Sequence, residues 1–165
     1  MKTGFPVKRL IAGALLVLVL IALDQLTKVW AVSALSAGPK VLIPGVFSLY
    51  YLQNTGAAFG IGQGQTWLFT LFTILILAGA AVWYILLLKK RRPLFIRVPV
   101  LLVIAGGIGN LIDRVSLHYV RDFLYFSLID FPVFNVADIY VTCAAVGIVL
   151  LLIFTKDEEA EKKDG

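Results

Sequence analysis

The chain alternates between long apolar runs and short polar segments. Four runs approach or exceed the roughly 20 apolar residues that a helix needs to cross a hydrocarbon core. They lie at about 9–32, 67–88, 94–112 and 136–155, and the second of them contains no charged residue. The pattern therefore predicts an all-α membrane protein with four transmembrane helices.

The first run has two interpretations. Its basic start, its apolar middle and the small residues at 31–34 also occur in cleavable signal peptides. A signal peptide does not normally carry charges such as Asp24 and Lys28 between its apolar core and its cleavage site. We therefore expect this run to be retained as the first transmembrane helix.

Two of the segments between the runs have strand-like patterns. Residues 46–52 and 120–126 are rich in β-branched and aromatic side chains and are bounded by turn signals. They predict short strands that form a small extracytoplasmic β-rich platform, to which an extended peptide could add as a further strand. An aromatic interfacial loop that only anchors the protein explains the same pattern equally well.

Composition and charge agree with a membrane protein. Of the 165 residues, 60% are hydrophobic, which would leave large exposed apolar patches on a water-soluble domain. The net charge of +5 comes from basic residues that flank the apolar runs, so we expect both termini to be cytoplasmic and no nucleic-acid partner. We expect one domain over 1–165, with 156–165 as a cytoplasmic tail, and we interpret Cys143 as a small buried hydrophobe.

The acidic residues outside the tail gather at one face of the predicted membrane domain. Each lies in an outer segment or at the outer end of a helix, and they are Asp24, Asp113, Asp122, Asp130 and Asp138. An ionisable group near a bilayer is costly and is a functional-site candidate. A proton relay would need acids at several depths, so the clustering at one depth argues against a pump.

Spacing brings several polar residues together. Asn110, Asp113 and Arg114 can share one face at the end of the third helix. An Asp113–Arg114 ion pair that closes the helix end is an equally good explanation of two of them. Asn135 and Asp138 stand where residues cap a helix N-terminus, and capping alone explains one of those.

Asp122 is harder to explain by structure alone, because it lies on a strand-like segment at the same predicted depth as Asp138. Two carboxylates from separate elements can act as an acid and a base on one water, since mutual repulsion makes them share a proton. The zinc, serine-elbow and phosphate-loop motifs are missing from the sequence, and we expect no essential role for His118. A cation transporter and a non-catalytic scaffold are the competing classes.

Five motifs, in order along nearly the whole chain, resemble those of the bacterial lipoprotein signal peptidases, or signal peptidase II. The motifs are Asp24-Gln-Leu-Thr-Lys28, Asn54-Thr-Gly56-Ala57-Ala58-Phe59, Gly106-Gly-Ile-Gly109-Asn110-Leu-Ile-Asp113-Arg114, Val120-Arg-Asp122-Phe123 and Phe134-Asn135-Val-Ala137-Asp138.

The resemblance implies an aspartic endopeptidase of the bacterial inner membrane with its site near the outer leaflet. Its substrates would be diacylglyceryl-modified prolipoproteins, cut just before the lipidated lipobox cysteine. We expect the protein to be a monomer in contact with membrane lipids. The resemblance also implies that Asp122 and Asp138 form the catalytic pair and that no metal or other cofactor is needed. The residues expected to bind substrate or support the site are Asp24, Lys28, Asn54, Gly56, Ala57, Asn110, Asp113, Arg114, Asn135 and Ala137.

Overall fold

The computed structural model describes residues 4–56, 62 and 64–164, with side chains up to Phe154. This part of the chain contains four long α-helices and one antiparallel sheet. The helices are α1 (Val7–Ala34), α2 (Thr66–Lys89), α3 (Leu94–Leu117) and α4 (Val136–Asp164), and the strands are β1 (Lys40–Ile43), β2 (Phe47–Asn54) and β3 (Val120–Tyr125).

All four helices are long and apolar enough to cross a membrane. Most of their large apolar side chains are exposed on the protein surface, as expected when lipid is the solvent. The prediction of four membrane-spanning helices with a small β-rich platform is confirmed. The prediction did not include β1, whose four residues are too few for a clear alternating pattern.

Helix α3 is the centre of the bundle. It packs against each of the other three helices, and 44% of its span is buried, compared with 22% or less for the others. Small residues on α3 permit this close packing. A Cβ atom at Gly106 would lie 2.5 Å from the carbonyl oxygen of Ala137 on α4, so α4 can approach α3 only because Gly106 has no side chain.

The sheet connects the helix ends on one side of the bundle. Its order is β1-β2-β3, and all neighbours are antiparallel. In the pairing of β2 with β3, Leu52 is opposite Asp122 and Asn54 is opposite Val120. This register places Asn54 close to Asp122, at the same end of the bundle as the start of α4.

Candidate active site

The first turn of α4 is closed by a reciprocal pair of hydrogen bonds. The Asn135 side-chain oxygen accepts from the backbone N–H of Asp138 at 3.1 Å, and Asp138 Oδ2 accepts from the backbone N–H of Asn135 at 3.0 Å. This is a capping box, which satisfies N–H groups that a helix start leaves free. Capping occupies only one oxygen of Asp138, and Oδ1 accepts a 2.8 Å hydrogen bond from Asn110.

Asp122 lies on β3, is 1% exposed and faces the start of α4. Its Oδ2 accepts from Asn54 Nδ2 at 2.8 Å, and its Oδ1 accepts from Asn135 Nδ2 at 2.6 Å. Asn135 therefore contacts both aspartates, Asp122 through its amide nitrogen and Asp138 through the capping box. The structure thus brings together two carboxylates that are 16 residues apart in the sequence.

Three asparagines surround the two carboxylates, and each amide has a fixed orientation. The side-chain oxygens of Asn54, Asn110 and Asn135 all accept from a nearby donor. The three donors are, in that order, the backbone N–H of Gly56, the ammonium of Lys28 and the backbone N–H of Asp138. Each Nδ2 consequently points at a carboxylate, so the amide assignment follows from the hydrogen-bond network.

The pKa of Asp122 is raised from 3.8 to about 7. Burial is the main cause, because it disfavours the charged form, and the nearby Asp138 adds repulsion. The hydrogen bonds from Asn54 and Asn135 act in the opposite direction but are weaker. Near neutral pH, Asp122 therefore has access to both its protonated and its ionised form.

A second layer of charge from α1 supports this arrangement. Asp24 and Lys28 are fully buried and form a 2.9 Å ion pair. Asp24 Oδ1 accepts from the backbone N–H of Ala137 at 2.9 Å, which satisfies another free donor at the start of α4. Lys28 Nζ donates to the Asn110 side-chain oxygen at 2.9 Å. Residues on α1 thus hold both α4 and one of the asparagines.

Asp113 is fully buried and belongs to the same layer. The predicted alternative, an Asp113–Arg114 ion pair, is wrong. Asp113 pairs with Arg121 on β3 at 2.7 Å and with Lys28 at 3.6 Å. Adjacent residues on a helix point about 100° apart, so Asp113 faces α1 and β3 while Arg114 faces the cavity described next.

A cavity of about 640 Å³ opens beside the two carboxylates. Its walls come from α2, α3, α4, β3, the end of β2 with Gly56, and the segment 131–134, and they are mainly apolar. Its polar lining consists chiefly of Asn54, Asn110, Arg114, Asp122 and Asp138, with Thr73 and Thr142 further along. An apolar groove that ends at a few convergent polar groups is typical of a binding site for an apolar peptide or lipid.

Arg114 and Cys143 both line this cavity. Within the described residues, the Arg114 guanidinium is committed to no hydrogen bond or ion pair, so it is available to a ligand. Cys143 is exposed. Its interpretation as a buried hydrophobe is therefore wrong, because the sequence could not show that a groove separates this face of α4 from α2.

The remaining predicted residues have mixed outcomes. Gly56 lines the cavity and holds Asn54, whereas Ala57 lies outside the described residues. His118 ends α3 in a left-handed conformation, and Asp130 is exposed and accepts from the Tyr125 hydroxyl. In the described part of the chain, no three His, Cys, Asp or Glu side chains are grouped as metal ligands.

Two residues of the site, Gln25 and Arg121, are not recognisable from the sequence, although both lie inside the five motifs. Gln25 donates to the Gly109 carbonyl and to Asp24 Oδ2, at 3.0 and 3.1 Å. Arg121 donates to Asp113 and, at 2.8 Å, to the Gln25 side-chain oxygen. The only sequence signal for Arg121 is that a buried Asp113 needs a cation, and the adjacent Arg114 was the obvious choice.

Comparisons with known proteins agree on one family. The family model described as signal peptidase (SPase) II matches residues 16–154. Lipoprotein signal peptidases of Streptococcus pyogenes serotype M1 and serotype M5 (strain Manfredo) are 48% and 47% identical over 153 residues, which cover 92% of this chain and 96% of each relative.

Two solved structures of bacterial membrane enzymes, determined by the in meso method at 2.3 and 1.9 Å resolution, are also similar. Their TM-scores are 0.78 and 0.74, with 28% and 29% sequence identity. The first alignment covers 96% of this chain and 95% of the solved chain, and the second covers 92% and 97%. With four membrane-spanning helices and a small sheet that sets the buried Asp122 beside Asp138 of α4, this chain belongs to the signal peptidase II family of aspartic peptidases.

Proposed function

We propose that the chain is the endopeptidase that removes signal peptides from diacylglyceryl-modified prolipoproteins, with Asp122 and Asp138 as its catalytic residues. The observation that carries the proposal is the contact of Asn135 with both the buried Asp122 and the half-buried Asp138 at the end of an apolar cavity. The apolar walls suit a signal peptide and its lipid anchor. The two carboxylates then lie where the scissile bond would enter.

The chemistry uses one proton shared by the pair. The ionised aspartate takes a proton from water as the water oxygen attacks the scissile carbonyl carbon. The protonated aspartate donates a hydrogen bond to the carbonyl oxygen and later gives its proton to the nitrogen of the leaving amine as the C–N bond breaks. The proton taken from water stays on the other aspartate, so the pair again carries one proton. The pKa of about 7 for Asp122 places both forms within reach at neutral pH, and either residue of the coupled pair can begin as the acid.

The polar residues around the pair supply orientation and charge. Asn54, Asn110 and Asn135 direct N–H groups at the carboxylates and so favour the ionised form of one of them. Arg114 has an uncommitted guanidinium on the cavity wall, and its role is to hold the peptide backbone or the developing oxyanion. No step of this mechanism passes through a metal ion or another cofactor.

We place the enzyme in the bacterial inner membrane as a monomer surrounded by lipid, with both termini in the cytoplasm and the site near the outer leaflet. Basic loops favour the cytoplasmic side. Four consecutive basic residues lie at the end of α2 and in the turn that follows it, at the end of the bundle opposite the sheet. The signal peptide of a lipid-anchored substrate can then enter the cavity from within the membrane.

The deciding experiment incubates the purified protein with a diacylated prolipoprotein and with its unlipidated form. Only the lipidated form should be cut, immediately before the modified cysteine, as read by mass spectrometry. Asp122→Asn and Asp138→Asn should each abolish cleavage, because Asn cannot exchange the proton.

The matched control is Asp130→Asn, the same chemical change at an exposed aspartate outside the cavity. It should cut at close to the parent rate. Near-normal cleavage by Asp122→Asn or Asp138→Asn removes that residue from the mechanism, and equal cleavage of both substrates removes the proposed requirement for lipid.

A further inference from the structure

Arg121 is the most heavily engaged polar side chain on β3, yet it does not line the cavity. Its Nη2 donates to Asp113 Oδ1 at 2.7 Å, while its Nε and its backbone N–H donate to Asp113 Oδ2 at 3.1 and 2.9 Å. Both oxygens of a fully buried carboxylate are thus held by one residue. Such a forked pair fixes geometry as well as charge.

We propose that Arg121, acting through Asp113, is a positioning residue that sets the location and the protonation of both catalytic aspartates. The proposal rests on the catalytic roles proposed above for Asp122 and Asp138. Arg121 reaches the two aspartates by different routes, one along the backbone and one through hydrogen-bonded side chains.

The backbone route leads to Asp122, the next residue on β3. Successive side chains of a strand point to opposite faces, so binding Arg121 to α3 turns Asp122 the other way. There it meets Asn54 and Asn135. Because Arg121 also donates its own backbone N–H to Asp113, the peptide next to Asp122 is fixed to α3 directly.

The side-chain route leads to Asp138. Arg121 occupies both oxygens of Asp113, and the Lys28 ammonium remains 3.6 Å from that carboxylate but 2.9 Å from the Asn110 side-chain oxygen. Asn110 in turn donates to Asp138 at 2.8 Å. Without Arg121, Lys28 is the nearest cation to a buried Asp113, so it is drawn away from Asn110 and frees that amide.

The charges around the pair explain why Arg121 affects protonation. The charged groups on the elements packed around the pair are Asp24 and Lys28 on α1, Asp113 and Arg114 on α3, and Arg121 on β3. Lys28 and Arg114 act on the pair directly, whereas Arg121 lies behind it and acts through Asp113. Their formal charges leave one positive unit, which balances a pair of aspartates that carries one proton. The hydrogen bonds from Arg121 to Asp113 raise the pKa of Arg121, so this charge persists throughout the working pH range.

The test measures kcat and KM against pH with a diacylated prolipoprotein for Arg121→Gln, Asp113→Asn and the double variant. The acidic limb of the profile is the pH range in which kcat falls as the pair gains a second proton. Loss of the cation makes the pair harder to ionise, so Arg121→Gln should move this limb to higher pH by about half to one unit. Asp113→Asn should move it down by a similar amount. In the double variant the limb should return close to its position in the parent protein. Its loss of kcat should be smaller than the product of the losses in the two single variants.

For Arg121→Gln we also expect kcat to fall about tenfold with KM within about twofold, since Arg121 is outside the cavity. Lys40→Gln is the matched control, because it removes one exposed cation from the edge strand of the same sheet and should leave the profile unchanged. A variant that is merely unfolded in part loses kcat without moving the limb.

Acidic limbs that stay in place, or that move in the same direction for both single variants, overturn the role of Arg121. If Arg121→Gln does not accumulate, Arg121→Lys decides, because it keeps the charge but loses the fork. It should lower kcat and leave the limb in place while Asp113→Asn still moves the limb down, a combination that partial unfolding does not give. A moved limb for Arg121→Lys, or an unmoved limb for Asp113→Asn, counts against the proposal. Asp122→Asn is assayed in parallel. Its near-normal activity would show that the proposed function has failed, whereas an inactive Asp122→Asn with unmoved limbs would show that only the Arg121 proposal has.

Discussion

Replacing Asp122 with Asn tests how strongly the fold resists a charge at this position. The pKa of Asp122 is about 7 in the folded protein and 3.8 for an ordinary aspartate. Between these values the folded state holds the proton more tightly than the unfolded state, so stability falls as pH rises through this window. Asn carries no charge at any pH, and Asp122→Asn should escape this loss.

The magnitude follows from the difference between the two pKa values. The full ionisation cost is about 4 kcal/mol, of which about 3 kcal/mol falls between pH 5 and pH 8. Asn also places an NH₂ group against the donor of Asn54 or Asn135, at a cost of about 1–3 kcal/mol. That cost is the same at every pH. The stability difference between the variant and the parent therefore changes with pH only through the ionisation of Asp122.

The assay is thermal unfolding of both proteins in one detergent, followed by tryptophan fluorescence at pH 5 and pH 8. Relative to the parent, Asp122→Asn should gain about 6–12 °C in melting temperature on going from pH 5 to pH 8. Asp130→Asn, at an exposed site, should show a constant difference. A parent and an Asp122→Asn variant whose melting temperatures change in parallel would refute the reasoning.

Three further predictions follow from the packing and the cavity. Gly109→Ala puts a methyl group 2.5 Å from Asp24 Oδ2, so it should lower the free energy of unfolding by about 1–3 kcal/mol and the cleavage rate at least about tenfold. The control is Gly79→Ala, whose methyl group meets nothing within 4 Å; its stability in detergent unfolding should stay within about 1 kcal/mol of the parent. Asn135→Ala should lose about 1 kcal/mol of stability and most of the activity. Asn135→Ser keeps an oxygen for the cap, so it should regain stability in the same unfolding assay but should not regain cleavage. Recovery of both would contradict the role of the amide nitrogen. Because Cys143 lines the cavity, a bound diacylated signal peptide should slow its labelling by a maleimide at least about tenfold, as read by mass spectrometry, and an unchanged rate would place the peptide elsewhere.

The main features of the fold were predictable because each has a strong local signal. Four long apolar runs give four helices, and the dense β-branched and aromatic residues at 46–52 and 120–126 give β2 and β3. Strand β1 has no comparable signal, since its pairing with β2 depends on the turn that joins them. Short strands of this kind are stabilised by tertiary contacts that no local pattern encodes.

Within the site, motifs identified residues but not their partners. The spacing of Asn110, Asp113 and Arg114 suggested one shared face. In the structure, the α-helix instead directs Asp113 towards Arg121 and Lys28, and Asn110 and Arg114 towards the cavity. A sequence shows that a buried carboxylate needs a cation, but it does not show which of several cations the fold brings near. For this reason Arg121 was recognisable only in three dimensions.

The fixed amides around Asp122 and Asp138 have a consequence for inhibitor design. Every nearby asparagine has its NH₂ group turned towards a carboxylate. With one proton shared by the pair as proposed above, a compound that enters between the two acids meets acceptor oxygens and that single proton. A secondary alcohol fits this arrangement, because its hydroxyl both gives and takes a hydrogen bond. A carboxylate or phosphonate group would meet like charge there. Inhibitors of this enzyme should therefore combine a neutral hydroxyl group with an apolar scaffold.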